Sequence, residues 1–307
     1  MTAKIIDGKL IATQMREKLK AEVAVLSKKG IIPGLGVILV GDDPASKSYV
    51  TAKQKACSEI GIYSDDNRMP ASTSQKELIA LINKMNKDPK IHGILTQLPL
   101  PKHIDESEVL LAIDPAKDID GFHPVNVGKM VQGQKTFLPC TPHGVVQLLI
   151  HSGVKIEGAN VVIVGRSNIV GKSLANILIQ KNPLGNATVT VCHTKTRNLA
   201  DHTRRADIVI AAAGCPNTIT ADMIKPGAVV IDVGNNRVDD PTKKTGFRFI
   251  GDVDFERVKE KASLITPVPG GVGPMTITML LYNTVEAAKN LIKSQNRNTK
   301  SQTNSKS

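Results

Sequence analysis

Tryptophan is absent from the 307-residue chain, and only 3 Tyr and 5 Phe are present. Little material is left for the aromatic platforms on which single-stranded nucleic acids stack. No block of five or six Lys/Arg occurs either: 40 basic and 28 acidic residues, a formal charge of +12, are interspersed along the chain. Such mixing belongs to solvated faces. A basic balance favours anionic partners, and these absences turn the expectation from nucleic acid to phosphorylated or carboxylated small molecules.

Long hydrophobic runs are also missing. The longest, Leu35 to Val40 and Ile208 to Ala213, are strand-sized, far short of the ~20 residues that cross a bilayer. The start, MTAKIIDGKLIATQ, lacks the basic region, apolar core and cleavage site of a secretory signal. We expect a cytoplasmic protein with no membrane association, whose mature chain begins near Met1. Four cysteines (Cys57, Cys140, Cys192, Cys215) form no CxxC pair and read as reduced, buried thiols without disulfides. The histidines show neither HExxH nor zinc spacing; Cys140 with His143 and Cys192 with His193 come nearest, and no structural metal is expected.

What is present is an alternation of strands and helices. At about 150 residues per domain the length predicts two domains. Residues 9–29 carry apolar positions at helical spacing and stop at Gly30. A strand follows at 34–40, then a helix that opens near Pro44 and runs to Gly61. A strand near 62–68, a helix near 74–87 and the strand IHGILTQLPLP complete a first half that implies a mostly parallel sheet. Residues 114–142, dense in Pro, Gly and Asp, read as a connector between two bodies. After a helix near 143–152, apolar strands recur at 161–165, 187–192, 207–213 and 228–233. A second Pro/Gly segment, 266–276, precedes a final helix over about 276–293. The tail SQNRNTKSQTNSKS has no apolar periodicity and is expected to be disordered.

VVIVGRSNIVGKSLANILIQ reads as a buried strand, a tight turn with Gly165, Ser167 and Gly171, and an amphipathic helix. In that context a pyrophosphate approaches backbone amides at a helix N-terminus. The spacing departs from GxGxxG, but two further strands of the same half also end in glycine. A P-loop requires glycine where this chain has Arg166. NAD-specific domains offer an acid after the second strand; here VCHTKT has Thr194 and Lys195 and no acid. With Arg166 beside the first glycine, these residues suit a 2′-phosphate, so NADP is preferred.

In the first half Tyr49 and Lys53 lie at i and i+4 of a predicted helix, able to meet at one ligand. Gln97 closes a strand at the end where ligands of α/β sheets bind. Asp120 stands in KDIDG, where an acid can accept two hydrogen bonds from a guanidine-like ring edge or form a turn with Gly121.

YVTAK, GILTQLPLP, DPAKDIDGFHP, PCTPHG, VGRSNIVGKS, IDVG and ITPVPGGVGPMT together resemble the signature segments of the bifunctional methylenetetrahydrofolate dehydrogenase/methenyltetrahydrofolate cyclohydrolase (FolD) family, over residues 5–293. The resemblance implies an α/β protein of two domains. A folate-binding catalytic domain is expected over 1–120 plus 276–293, with the last helix packing back on it. A Rossmann-like NADP domain is expected over 121–275, and a disordered tail over 294–307. It implies a homodimer that oxidises 5,10-methylenetetrahydrofolate with NADP+ and hydrolyses the product to 10-formyltetrahydrofolate in one-carbon metabolism. Lys53 would be the central catalytic residue, Tyr49 would pack against the aminobenzoate ring, Gln97 would tune Lys53, and Asp120 would anchor the pterin.

Leu98, Pro269, Gly270, Gly273 and Pro274 would line the substrate site. Gly165, Arg166, Ser167, Val170, Gly171, Thr194, Val233, Gly234 and Asn235 would hold NADP. Two positions depart from the family pattern: Thr194 stands for a frequent serine and keeps the hydroxyl, and Asn235 stands for a branched apolar residue near the cofactor, where a difference in cofactor affinity or choice would arise. The competing readings are a P-loop-like nucleotide hydrolase and a basic nucleic-acid-binding protein.

Overall fold

A computed structural model describes residues 2–243 and 246–304. In chain order the elements are β1 (Lys4–Ile5), α1 (Gly8–Ser27), β2 (Gly34–Val40), α2 (Pro44–Ile60), β3 (Tyr63–Met69), α3 (Gln75–Lys87) and β4 (Gly93–Thr96). Next come α4 (Glu106–Leu111), α5 (Pro124–Val131), α6 (Cys140–His151), β5 (Asn160–Val164), α7 (Ser173–Leu178), β6 (Thr188–Cys192), α8 (Leu199–Thr203) and β7 (Ile208–Ala211). The chain closes with β8 (Val229–Asp232), β9 (Asn236–Asp239), β10 (Phe247–Ile250), α9 (Phe255–Val258), β11 (Leu264–Ile265) and α10 (Val272–Asn304). Two compact units result: one of residues 15–129, 136–138 and 280 onward, the other of residues 1–14, 130–135 and 139–279.

The first unit is built on a parallel sheet of order β3-β2-β4. All seven residues of β2, GLGVILV, are buried, as a central parallel strand covered on both faces must be. The edge strand β3 is polar, YSDDNRM, which discourages pairing with another chain. In α3, a capping box between Ser74 and Glu77 starts the helix, and Leu78, Ile82 and Met85 form its buried stripe, the spacing of a single helix face. That stripe joins Ile38, Ile91, Ile94 and Val109 in one core. The last helix belongs here from Leu280 onward: its Lys289 ammonium donates to Glu22 of α1 at 2.6 Å.

The second unit carries a six-stranded, wholly parallel sheet of order β1-β11-β8-β7-β5-β6. Strand β6 lies on one side of β5, and β7 returns to the other. The chain therefore reverses direction at β5, and ligands of open α/β sheets bind outside the carboxyl ends of strands at such a switch point. Val162, Val164, Val209, Ala211 and Val230 supply the packing.

Several expectations are corrected. The presumed connector over 114–142 contains α5 and the start of α6. The Asp118 carboxylate accepts the amides of Phe122 and His123, at 3.2 and 2.8 Å, just ahead of Pro124, so a side chain six positions upstream starts a helix that local composition disguises. The final helix begins at Val272, within the Pro/Gly segment, because Pro274 falls in a first turn, where proline needs no donor. It runs to Asn304; residues 305–307 of the tail lie outside the described residues. The antiparallel β9–β10 ribbon and the short helix α4, capped by Asp105, were not foreseen. Cys215 is exposed, whereas Cys57, Cys140 and Cys192 are buried as expected.

One buried group sets an acid limit. Burial pushes the His143 imidazole down to about 4, against about 6.5 when unfolded. The unfolded chain therefore binds the extra proton first, and stability is lost as pH falls from about 6.5 to about 4. Asp232 acts oppositely: burial raises its carboxyl to about 6, so its contribution is full below about 3.9 and lost as pH rises through 6. His143→Gln should therefore gain on the parent by about 2 kcal/mol between pH 7 and pH 5. Urea midpoints at the two pH values measure this, and an unchanged gap would show that His143 is not the acid-labile group.

Candidate active site

In the first unit, Asp43 caps α2 by accepting the Ser46 amide, with Pro44 in the first turn. The cap sets the phase of the helix, placing Tyr49 and Lys53 one turn apart on one face. Lys53 is buried at 8% exposure, whereas Tyr49 is 39% exposed, and burial raises the Tyr49 phenol above its ordinary value. Gln97 leaves the end of β4, its amide continuing the ladder to Ile38 O. Its side-chain Nε2 donates to Leu98 O at 2.8 Å, which turns Oε1 outward to accept Lys53 Nζ at 3.0 Å. The amide is thereby fixed with its acceptor on the lysine. Lys53 and Gln97 are 44 positions apart and meet only because β4 pairs beside β2, the strand that feeds α2.

Asp120 sits half-buried on the turn that follows the Ile94–Asp118 bridge. That turn is held at four points. Lys117, 7% exposed, donates to Met85 O and Asp88 O at the end of α3. Asp118 accepts Asn126 Nδ2 at 2.8 Å as well as the two backbone amides. Gly121, at φ 72°, closes the turn onto Asp118 O. Asn283 of α10 donates to Ile119 O at 2.7 Å. A signal for Lys117 and Asp118 lay in KDIDG itself; for Asn283 there was none. A cavity of about 570 Å³ at the opposite, amino edge of this sheet is lined by Gly30, Ile32, Tyr63 and His92 and contains none of the candidate residues.

In the second unit, the carboxyl edge of the sheet gathers the candidate cofactor residues. Gly165 follows β5 at φ 138°, and a Cβ there would lie 2.0 Å from Ala212 O; only glycine lets the two strand ends approach so closely. A Cβ on Gly171 would lie 2.1 Å from Gly165 O, so the helix start is pressed onto the strand end. Between them Ser167 Oγ accepts the Val170 amide at 3.2 Å, and residues Asn168–Lys172 form a π-helical turn before α7. The result is a shallow backbone cradle at a helix start, with Arg166 and Ser167 exposed beside it. It has the shape and the donors for a pyrophosphate.

Gly165 N donates to Cys192 O at 2.9 Å, which sets Arg166 next to the turn after β6. That turn is closed by Thr196 Oγ1 and the His193 amide at 2.8 Å, leaving Thr194 and Lys195 exposed. Val233, Gly234 and Asn235 follow β8, and Val233 N continues the ladder to Ala211 O. Pro269, Gly270, Gly273 and Pro274 belong to this unit as well. Gly270 takes φ 108°, and Pro274 O accepts the Thr278 hydroxyl in the first turns of α10. Among the described residues no helix is long and apolar enough to cross a membrane.

Comparison with known proteins gives a consistent picture. Residues 6–120 match the family model of the tetrahydrofolate dehydrogenase/cyclohydrolase catalytic domain, and residues 139–292 match that of the NAD(P)-binding domain. The Bifunctional protein FolD of Syntrophus aciditrophicus is 62% identical over 289 residues, 94% of this chain and 98% of the relative. The crystal structure of the bifunctional FolD dehydrogenase/cyclohydrolase from Campylobacter jejuni aligns with a TM-score of 0.88 at 51% identity, covering 94% and 99% of the two chains. The Trypanosoma brucei enzyme, complexed with NADP cofactor and inhibitor, aligns with a TM-score of 0.91 at 41% identity over 95% and 99%.

Proposed function

Because the chain belongs to the tetrahydrofolate dehydrogenase/cyclohydrolase family, we propose that it oxidises 5,10-methylenetetrahydrofolate with NADP+ and hydrolyses the methenyl product to 10-formyltetrahydrofolate. The observation that carries this reading is the buried Lys53 ammonium, bonded at 3.0 Å to an amide whose own orientation is locked. Such a pair holds the lysine nitrogen at a fixed point through an acceptor that is itself immobile.

NADP+, when bound, would supply the acceptor for the hydride of the methylene carbon. The Gly165–Gly171 cradle would hold its pyrophosphate, and Arg166 with Thr194 and Lys195 its 2′-phosphate. The chain's own contribution is placement and proton transfer. Tyr49, one turn before Lys53 and partly exposed, presents its ring for stacking on the aminobenzoate. Asp120, on its braced turn, accepts from the pterin edge. Lys53 serves the hydrolytic half: water attacks the methenyl carbon, one proton leaves that water, and another reaches the departing nitrogen. A lysine beside a cation is suited to both transfers, since like charge favours its neutral form and Gln97 Oε1 restrains the ammonium. The folate and NADP domains and the two copies per assembly implied by the resemblance are part of this reading; sedimentation measures the last.

Mixing the protein with methylenetetrahydrofolate and NADP+ should yield reduced cofactor and then formyl product; a folded sample producing neither would end the proposal. Arg166→Ala should raise KM for NADP+ by 10-fold or more and leave KM for NAD+ within about twofold, the scale of losing about 1.5–3 kcal/mol from one charged hydrogen bond. Equal effects on both cofactors would show that Arg166 contacts something other than the extra phosphate. A nucleotide hydrolase and a nucleic-acid binder find no support in the site or in the relatives.

A further inference from the structure

Two carboxylates with no assigned role lie beneath the cofactor edge of the second unit. Asp232 and Asp252 are 2% and 0% exposed. Asp232 Oδ1 accepts the amides of Gly234 and Asp252, each at 2.9 Å, and Oδ2 accepts that of Val253 at 3.0 Å. Asp252 Oδ2 accepts the amides of Ala213 at 2.6 Å and Gly214 at 2.9 Å, while Oδ1 accepts Asn236 Nδ2 at 2.8 Å. The Asp232 amide donates to Thr266 Oγ1 at 2.7 Å, just ahead of the Pro/Gly segment.

The donors around the pair are amides drawn from three loops. Burying carboxylates is costly unless hydrogen bonds compensate, and an apolar residue would fill the same space more favourably. What an apolar residue lacks is the ability to tie loops together. The fit is close: a Cβ on Gly251 would lie 1.8 Å from Asp232 Oδ2, and one on Gly234 2.4 Å from Asp252 Oδ1. Both loop backbones therefore rest directly on the carboxylates.

The loops concerned, 213–214 and 233–236, leave the carboxyl ends of β7 and β8. The cradle for the pyrophosphate ends β5, and the exposed basic residues lie toward β6. A dinucleotide whose phosphorylated adenosine half lies toward β6 must run the other way, over β7 and β8, with its second half. We propose that Asp252, itself held by Asp232, is a positioning residue for the nicotinamide half of the cofactor: it fixes the backbone of Ala213–Gly214 and the Asn236 side chain as the wall of that half-site. The inference rests on the NADP reading above and deepens it.

Asp252→Asn replaces one acceptor oxygen by a donor facing donors, with little change of shape. The test titrates the whole protein with NADP+ and separately with 2′,5′-ADP, which has the phosphorylated adenosine but no nicotinamide half. The expected result is a Kd for NADP+ raised 10-fold or more with that for 2′,5′-ADP unchanged within twofold. General damage to the fold would weaken both alike, and that outcome, or no change in either, overturns the proposal. If Asp252→Asn does not fold, Asn236→Ala, which removes only the half-buried amide, decides: a three-fold or greater loss confined to NADP+ supports the proposal, and any other pattern overturns it. Failure of the parent protein to bind NADP+ at all would instead strike the functional reading.

Discussion

Lys53→Met is expected to lower the rate of methenyl hydrolysis by at least about 100-fold, the usual scale of a lost general acid–base group, while hydride transfer persists at a measurable rate. Methionine keeps the length of the buried stem but carries no proton. Hydride transfer depends mainly on how the two rings are placed, whereas hydrolysis must move protons to and from water. The variant leaves Gln97 Oε1 without its Lys53 donor, and some loss of ring placement should also reduce dehydrogenase turnover. Absorbance of the methenyl species separates the steps, because the variant should accumulate it. Full hydrolytic turnover would remove Lys53 from the mechanism.

Gly165→Ala should be strongly damaging to the second unit. The added carbon would meet the Ala212 carbonyl oxygen at 2.0 Å, and the residue holds φ 138°. The backbone strain alone costs about 1–3 kcal/mol, and the clash is with backbone, which no rotamer relieves. The end of β5 must then withdraw from β7, opening the cradle that Gly171 closes from the helix side. We expect NADP+ binding weakened more than 10-fold and a melting temperature lower by about 4–10 °C, at roughly 2–4 °C per kcal/mol for a unit of this size. Calorimetry and cofactor titration on the same sample provide the check. Parent-like affinity would mean that the pyrophosphate is held elsewhere.

These two positions were legible in very different ways. Gly165 was visible because the strand, turn and helix around it are contiguous, and local sequence dictates local backbone. Lys53 was visible as a helical neighbour of Tyr49, but its partner Gln97 was joined to it only by resemblance to a known family. The pairing of β4 beside β2 makes the contact physical. Misread elements share a cause. The helix α5 depends on a carboxylate outside it, and the β9–β10 ribbon is stabilised by an Arg237 guanidinium 4.0 Å over the Phe247 ring, a cross-strand contact with no periodic signature.

By itself, the sequence determined the alternation of strands and helices, the two-body organisation, the glycine turn and its lack of an acid for an unphosphorylated ribose. Each of these follows from residues near one another in the chain, where propensity, capping and steric limits act directly. Tertiary structure alone decided which strand lies beside which, that Asn283 braces the turn bearing Asp120, and that Asp232 and Asp252 tie together loops drawn from across the second unit. The contacts that join one loop to another span 16 to 164 positions, and a hydrogen bond across such a distance exists only after the hydrophobic cores have brought its partners within reach.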